Sequence, residues 1–403
     1  MSFIYISNRL TCVPLKTSVS GDEVLFQNHL TGFRWFFNLN YDSMEEVVDF
    51  VNFSNYNRTV VMHNGEFLCR VEVPADTLSR SIVYITLFKN AYLSSTPATR
   101  NFQIMTYKEQ FKDFTVKQKK TIGHYPIGVY YTQVWYHWGH MVHDFINAMM
   151  FVPKEIYDRG FVVPTLRTGY AATYDFLYNI GLADKIKLLD LGDGNQVLVD
   201  ELYILGTTHY AHGYSVGGFQ RLRKLVFNRF QLNGIKPYKF CIINRPGKTR
   251  LIHNIKELLQ ALTEKTKIDE GQKWIIEDSN VSDFNATVKR WSTIKMVVTP
   301  SGSGIYNSIF MQEKTGILVM MTFMMDMPNI HVAAISNIYM IGVGHKKFGH
   351  DFIEAMPCDI DRMVLCANRL IELLQTGNLN MDQLYYPVPP SCENLSPAID
   401  RFV

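Results

Sequence analysis

The hydrophobic pattern changes character twice along the chain. Up to about residue 120 the apolar positions alternate or gather in short β-branched and aromatic runs, which predicts strands. Residues 59–63 and 66–73 flank Asn64-Gly65, a pair that tolerates the positive φ of a tight hairpin turn. Residues 81–88 read as a further strand, and residues 94–100, polar and interrupted by Pro97, as a loop. From Thr121 to Phe230 the pattern is mixed. Residues 135–152 are long and apolar enough for a buried helix, and residues 170–180 read as a second helix ended by Gly181. Short strands are expected at 185–189, 196–199 and 202–205.

Beyond Phe230 apolar strands and amphipathic helices alternate. Residues 238–244 form a strand with a continuous apolar centre, and Ile252, Ile255, Leu258, Leu259 and Leu262 follow at helical spacing. A strand at 274–277 precedes Phe284, Val288 and Trp291, which share one helical face. Strand 296–299, helix 305–313 and strands 316–321 and 338–341 complete the series. Strands apolar on both faces, separated by helices, predict a parallel sheet covered on both sides. A last helix, residues 362–374, ends at Gly377, and the tail contains Pro387, Pro389 and Pro390. The expected fold class is α/β: two α/β halves facing a cleft, with a β-rich N-terminal elaboration. The boundaries are 1–120 for the β-rich region, 121–235 for the first α/β half, 236–360 for the Rossmann-like half and 361–403 for the C-terminal helix and tail. Ligands of such sheets bind at the carboxyl ends of the strands, so chemistry is sought after Asn244, Glu277, Thr299 and Met321.

Composition narrows the function. The chain has 403 residues, enough for two to three domains at about 150 residues each. Forty basic against 37 acidic residues give a net charge of +3, too small an excess for a phosphate-backbone binder. The basic run Lys117-Gln118-Lys119-Lys120 lacks the interleaved aromatics of a nucleic-acid site and reads as a solvated face. Six cysteines without a C-x-x-C pair exclude a disulfide scaffold and a zinc knuckle. No export signal or membrane span is expected, so the five Asn-x-Ser/Thr sequons are read as chance and the protein as cytoplasmic.

Three segments carry the chemistry. Thr299-Pro300-Ser301-Gly302-Ser303-Gly304-Ile305 lies between an expected strand and helix, where unsatisfied N–H groups and two glycines suit a diphosphate. It lacks the Gly-Lys-Ser/Thr ending of a P-loop, and an ordinary tight turn is the competing reading. Asn244-Arg245-Pro246-Gly247-Lys248-Thr249-Arg250 ends another strand. There Arg245 and Arg250 offer forked donors to phosphate, or simply face solvent. His137-Trp138-Gly139-His140-Met141-Val142-His143-Asp144 places His140 and Asp144 four apart on one helical face. Such a pair can deprotonate a hydroxyl. A metal site on His137, His140 and Asp144 and a set of core histidines are the alternatives. Asp359-Ile360-Asp361 reads as a helix cap, His345 and His350-Asp351 as surface loop, and the methionines at 320–327 as core.

The order of these segments resembles glycosyltransferase family 61, the group that includes O-linked N-acetylglucosaminyltransferases and plant xylosyltransferases. A His-x-x-x-Asp helix precedes a strand-Arg-x-x-x-x-Arg-helix unit, and a strand-Gly-x-Gly turn leads into Ile-Tyr-Asn-Ser-Ile-Phe-Met. The nearest stretches are 140–147, 241–262, 296–319 and 332–342, within a span of about residues 134–342. The resemblance implies a GT-B architecture, with the acceptor on residues 121–235 and a nucleotide-sugar donor on residues 236–360. It further implies inverting, metal-independent transfer from a UDP-sugar, without a cofactor, to a hydroxyl of a glycan, protein or small molecule. The family's turn usually reads His-Gly-Ala; here Ser301 stands at the histidine and Ser303 at the alanine.

The expected roles are Asp144, oriented near His140, as base, and Arg245, Arg250, Ser301, Gly302, Ser303, Gly304 and Ile305 around the diphosphate. Glu277 is a candidate partner for the ribose hydroxyls. The competing functions are a non-catalytic nucleotide-sugar or glycan-binding protein, motivated by Ser301, and a metal-dependent hydrolase built on His137, His140 and Asp144.

Overall fold

The computed structural model describes residues 32–38, 59–63, 67–70, 82–96, 101–106, 120–130, 138–165, 170–192, 195–207, 215–245, 250–279, 283–321, 329, 332–333, 335–344 and 357–377. The Asn64-Gly65 turn, Pro97, His137, Pro246 to Thr249, His345, His350, Asp351, Met324 to Met327 and the proline-rich tail lie outside them. Fourteen strands run through the described residues. They are β1 (Gly32–Asn38), β2 (Thr59–His63), β3 (Phe67–Arg70), β4 (Ile82–Thr96), β5 (Asn101–Thr106), β6 (Lys120–Tyr130) and β7 (Phe161–Thr165). The others are β8 (Ile186–Asp190), β9 (Asn195–Thr207), β10 (Lys239–Ile243), β11 (Trp274–Glu277), β12 (Ile294–Pro300), β13 (Gly316–Met321) and β14 (Tyr339–Gly344). Packing groups the chain into two compact units, Met1–Ser43 with Arg80–Gly218, and Met44–Ser79 with Phe219–Val403. The strands before residue 120 pair into both sheets: β1, β4 and β5 in the first, β2 and β3 in the second.

The first unit holds a mixed sheet in the order β1-β4-β9-β6-β7-β8, with β5 also on β4. The long strands β4 and β9 run antiparallel, from Val83↔Thr207 to Ser94↔Gln196. The strands expected at 196–199 and 202–205 are therefore one. Asp200 and Glu201 lie where the two were divided; Asp200 bonds His124 and Glu201 bonds Arg159, so both carboxylates stay satisfied within the strand. From β9 outward the pairing is parallel through β6, β7 and β8. Helical segments cross from β6 to β7 and from β7 to β8, as parallel pairing requires. The second of these crossovers includes the helix Tyr170–Asn179, followed by Gly181 at φ 81°. Val162, Val199, Leu202 and Ile204 form the centre of a buried cluster on this sheet.

The second unit is built on a sheet in the order β11-β10-β12-β13-β14-β2-β3. All neighbours from β11 to β2 are parallel, and only β3 turns back against β2. Residues 240–243, 296–298, 317–320 and 339–343 are buried, as expected for strands covered on both faces. Helix Ile255–Lys265 buries Leu258, Ala261 and Leu262, and helix Phe284–Ser292 buries Phe284, Thr287, Val288 and Trp291. Helix Ile360–Thr376 is capped by Asp359, whose carboxylate accepts from the Arg362 N–H at 3.1 Å, and closes on Gly377 in the left-handed region. It lies so close to β13 that a Cβ on Gly316 would meet Leu370 at 3.0 Å. The segment expected as helix 305–313 is instead a 3₁₀ helix, Ser303–Phe310, and Met311 is already extended. This mixed α/β architecture, with parallel pairing in both sheets, fits a Rossmann-like glycosyltransferase fold. Among the described residues no helix is long and apolar enough to cross a membrane.

Candidate active site

The strand order of the second sheet creates one distinctive place. The chain steps from β10 to β11 in one direction and then places β12 on the other side of β10. Two loops therefore diverge at the carboxyl ends of β10 and β12, leaving a crevice where open α/β sheets bind ligands. Arg245 leaves β10 on one side, and Ser301 and Gly302 leave β12 on the other. The Arg245 guanidinium donates to the Ser301 carbonyl at 3.3 Å.

Asn244 sets the first of these loops. Its side-chain oxygen accepts from the N–H groups of Arg245 (3.1 Å) and Ile252 (2.9 Å), and its amide donates to the Ile252 carbonyl at 2.9 Å. One asparagine thus pins both ends of the segment that carries Arg245 and Arg250. Arg250 has a positive φ of 52°, uncommon for a residue with a side chain. Both guanidiniums converge on Gly302: a Cβ there would lie 1.9 Å from Arg245 Nη1 and 3.9 Å from Arg250 Nη1. Gly302, at φ 137°, is in a conformation essentially restricted to glycine. Burial pulls the Arg245 guanidinium down to about 10, and the neighbouring charge of Arg250 pulls the same way. Two like charges are thus held together in a half-buried crevice, a disposition that an anion relieves.

The 3₁₀ turn limits which backbone donors remain. The Ile305 N–H is spent on the Gly302 carbonyl (3.0 Å), and the Ser301 N–H on Met320 (2.9 Å). An i→i+3 ladder consumes donors one residue earlier than an α-helix does. Among the described residues the N–H groups of Gly302, Ser303 and Gly304 have no backbone acceptor. Ser301 itself is buried, Ser303 is half-buried and Gly304 is exposed. Glu277, at the end of β11, has its carboxylate engaged by Lys239 (2.6 Å) and Arg290 (3.8 Å).

The first unit carries the other constellation. A continuous helical stretch follows β6: an α turn Trp138–His140, a π turn Met141–Ile146 and an α turn Asn147–Met149. Trp138 packs edge-on against Phe176 at 5.3 Å between centroids and ties this stretch to helix Tyr170–Asn179. His140 Nδ1 lies 2.8 Å from Asp144 Oδ2, and His143 Nδ1 lies 2.6 Å from Asp144 Oδ1. The pairing of His140 with Asp144 is the one that helical spacing predicts. The pairing with His143 is not, because successive residues of a helix diverge. Burial alone would raise the Asp144 carboxyl, but hydrogen bonds from both histidines and their charge outweigh it and bring it to about 2. The side chains of Asp144 and His143 are each 3% exposed, whereas that of His140 is 46% exposed.

Asn147, one turn further, is fully buried, and among the described residues neither its amide nitrogen nor its oxygen has a hydrogen-bond partner. It presses so closely on Gly218 that a Cβ there would lie 2.6 Å from Asn147 Cβ. Neither His143 nor Asn147 is singled out by spacing; their proximity to Asp144 in the sequence was the available signal. Among the described residues no group of three His, Cys, Asp or Glu could hold a metal, and His137 is not among those residues.

Residues 138–318 match the family model described as Glycosyltransferase 61. The match opens on the helix bearing His140 and Asp144, takes in both arginines and the Gly302 turn, and ends in β13. No curated protein matches the chain. The chain thus resembles glycosyltransferase family 61 over this stretch, and the resemblance supports a glycosyltransferase, an enzyme with a donor and an acceptor to bind.

Proposed function

We propose that the protein is an inverting, metal-independent glycosyltransferase that moves a sugar from a UDP-sugar to an acceptor hydroxyl. The observation that carries the donor assignment is the convergence of Arg245 and Arg250 on Gly302, at the crevice between β10 and β12. A diphosphate there meets two guanidiniums and the N–H groups of Gly302, Ser303 and Gly304. Two fixed cations supply the charge compensation that a divalent ion supplies elsewhere. Glu277 is already neutralised by Lys239 and Arg290, so a ribose hydroxyl would compete with those cations for it.

Transfer proceeds by single displacement. The acceptor oxygen forms the new bond to the anomeric carbon as its proton passes to the His140–Asp144 pair. The bond from that carbon to the diphosphate breaks, and its electron pair leaves with UDP. Because attack comes from the face opposite the leaving group, the configuration inverts. Donors preplaced around the departing diphosphate supply most of the rate enhancement.

Thermal denaturation with UDP, UDP-N-acetylglucosamine and UDP-xylose, with and without chelator, tests this reading. UDP should raise the melting temperature of the wild type but not of Arg245→Ala, with no effect of chelator. A wild type that UDP leaves unchanged would reject the donor site. A second reading, a nucleotide-sugar-binding protein without catalysis, is favoured by the buried Ser301 at the family's histidine position. It requires UDP stabilisation without UDP release from any donor.

A further inference from the structure

We propose that His140, through Nε2, is the group that takes the acceptor's proton, and that Asp144 and His143 are positioning residues that hold its ring. This assignment rests on the transferase reading and reverses the expected roles, in which Asp144 is the base and His140 orients it.

The first ground is access. Both Asp144 oxygens are bonded, one to each histidine, and the side chain is 3% exposed. A hydroxyl that reached this carboxylate would have to displace an imidazole. The His140 side chain, by contrast, is 46% exposed.

The second ground is hydrogen-bond chemistry. An ionised carboxylate only accepts hydrogen bonds, so both histidines must carry their proton on Nδ1. In the neutral ring the lone pair then falls on Nε2, on the side of the ring away from Asp144. A proton arriving there turns the ring into an imidazolium, and the buried negative charge of Asp144 stabilises it. A carboxyl held at about 2 is a weak base near neutrality, whereas an imidazole is matched to that range.

The third ground is what His143 does. It is buried and sits on the remaining Asp144 oxygen at 2.6 Å. With both oxygens held, the carboxylate cannot swing away from His140. Residues 143 and 144 both lie in the π turn Met141–Ile146, and π turns concentrate at functional sites. In the step itself the hydroxyl proton moves to His140 Nε2, the oxygen's electron pair forms the glycosidic bond, and the carbon–oxygen pair leaves with UDP. The imidazolium afterwards returns its proton to solvent through the exposed edge of the ring.

Long-range ¹H–¹⁵N spectra of the full chain labelled at histidine test the geometry without any substrate. His140→Asn and His143→Asn assign the two rings. At the high-pH end of its titration each should show the Nδ1–H tautomer, the less common one for free imidazole. UDP release from a panel of UDP-sugars, with water as acceptor, tests the roles. His140→Asn keeps an N–H for Asp144 but has no proton acceptor, so kcat should fall by at least about 100-fold with the donor KM unchanged. His140→Gln provides the same comparison should that variant fold poorly. His143→Leu should lower kcat, and His143→Asn, which restores an N–H at the Nδ1 position, should recover most of the loss. Asp144→Asn should also move the acid limb of kcat/KM to lower pH, because removing the negative charge makes His140 easier to deprotonate.

An Nε2–H tautomer at His140, or His140→Asn that releases UDP normally while Asp144→Asn does not, would overturn the assignment and leave the transferase reading standing. A wild type that shows both Nδ1–H tautomers yet releases no UDP from any donor would instead defeat the transferase reading, and this role with it.

Discussion

Gly302 shows how narrowly a single residue can be constrained. Its φ of 137° excludes an ordinary side chain, and a methyl group would fall 1.9 Å from Arg245 Nη1. Gly302→Ala should therefore displace the guanidinium and cost about 1–3 kcal/mol in backbone strain. Urea denaturation would read the stability loss, and titration calorimetry with UDP the loss of affinity. Arg245→Ala should leave the fold intact and lower kcat for UDP release by about 100-fold or more. Asp144 yields a prediction with a definite sign. Its folded carboxyl lies at about 2, below the ordinary aspartate value of 3.8. A depressed carboxylate contributes stability that is fully present above the unfolded value and is lost as pH falls through the folded one. The wild type should therefore lose about 2 kcal/mol more than Asp144→Asn over that interval, measured as urea midpoints at successive pH values. Both arginines, Gly302 and the His140–Asp144 pairing were legible because residue type and spacing are local information. His143 was not, because helical spacing pairs residues three or four apart and not immediate neighbours. Ile305 was read as a backbone donor to the diphosphate, yet its N–H is used on the Gly302 carbonyl.

At the scale of elements, the sequence was most readable where burial imposes a period. The apolar strands β10, β12 and β13 and the helices Ile255–Lys265 and Phe284–Ser292 lie within a residue or a few of their expected bounds, since both faces of the sheet must be covered. The segment after Gly302 was misread as an α-helix because one apolar stripe does not distinguish 3.6 from 3.0 residues per turn. β9 was divided into two short strands for a different reason: Asp200 and Glu201, which join them, find their partners His124 and Arg159 on distant segments. Asn244 belongs to this scale too, because its three hydrogen bonds shape a whole loop. Asn244→Ala should loosen the arginine segment and weaken UDP binding in calorimetry. Its melting temperature should fall only by the few degrees that about 1–3 kcal/mol represents in a domain of this size.

Across the whole molecule, the second sheet does not close on its own consecutive strands. β14 pairs in parallel with β2, from a segment that precedes it by more than two hundred residues, and is covered by it from Thr59 to Met62. A chain beginning at residue 80 would leave β14 as a bare edge beside a buried apolar core, which templates association. Such a truncation should elute as oligomers or aggregate in size-exclusion chromatography, whereas the full chain should not. Amphipathic periods, glycine turns and cap residues depend only on neighbours in the sequence, so the sequence by itself determined the α/β class, the identity of most elements in residues 238–377 and the residue types able to meet a diphosphate. The order of the strands, the crevice it opens between β10 and β12, the assignment of the N-terminal strands to two different sheets and the partners of Asp200 and Glu201 were decided only by the tertiary structure. Each of these depends on contacts between segments far apart in the chain, and no local period encodes which distant partner a strand edge or a carboxylate will find.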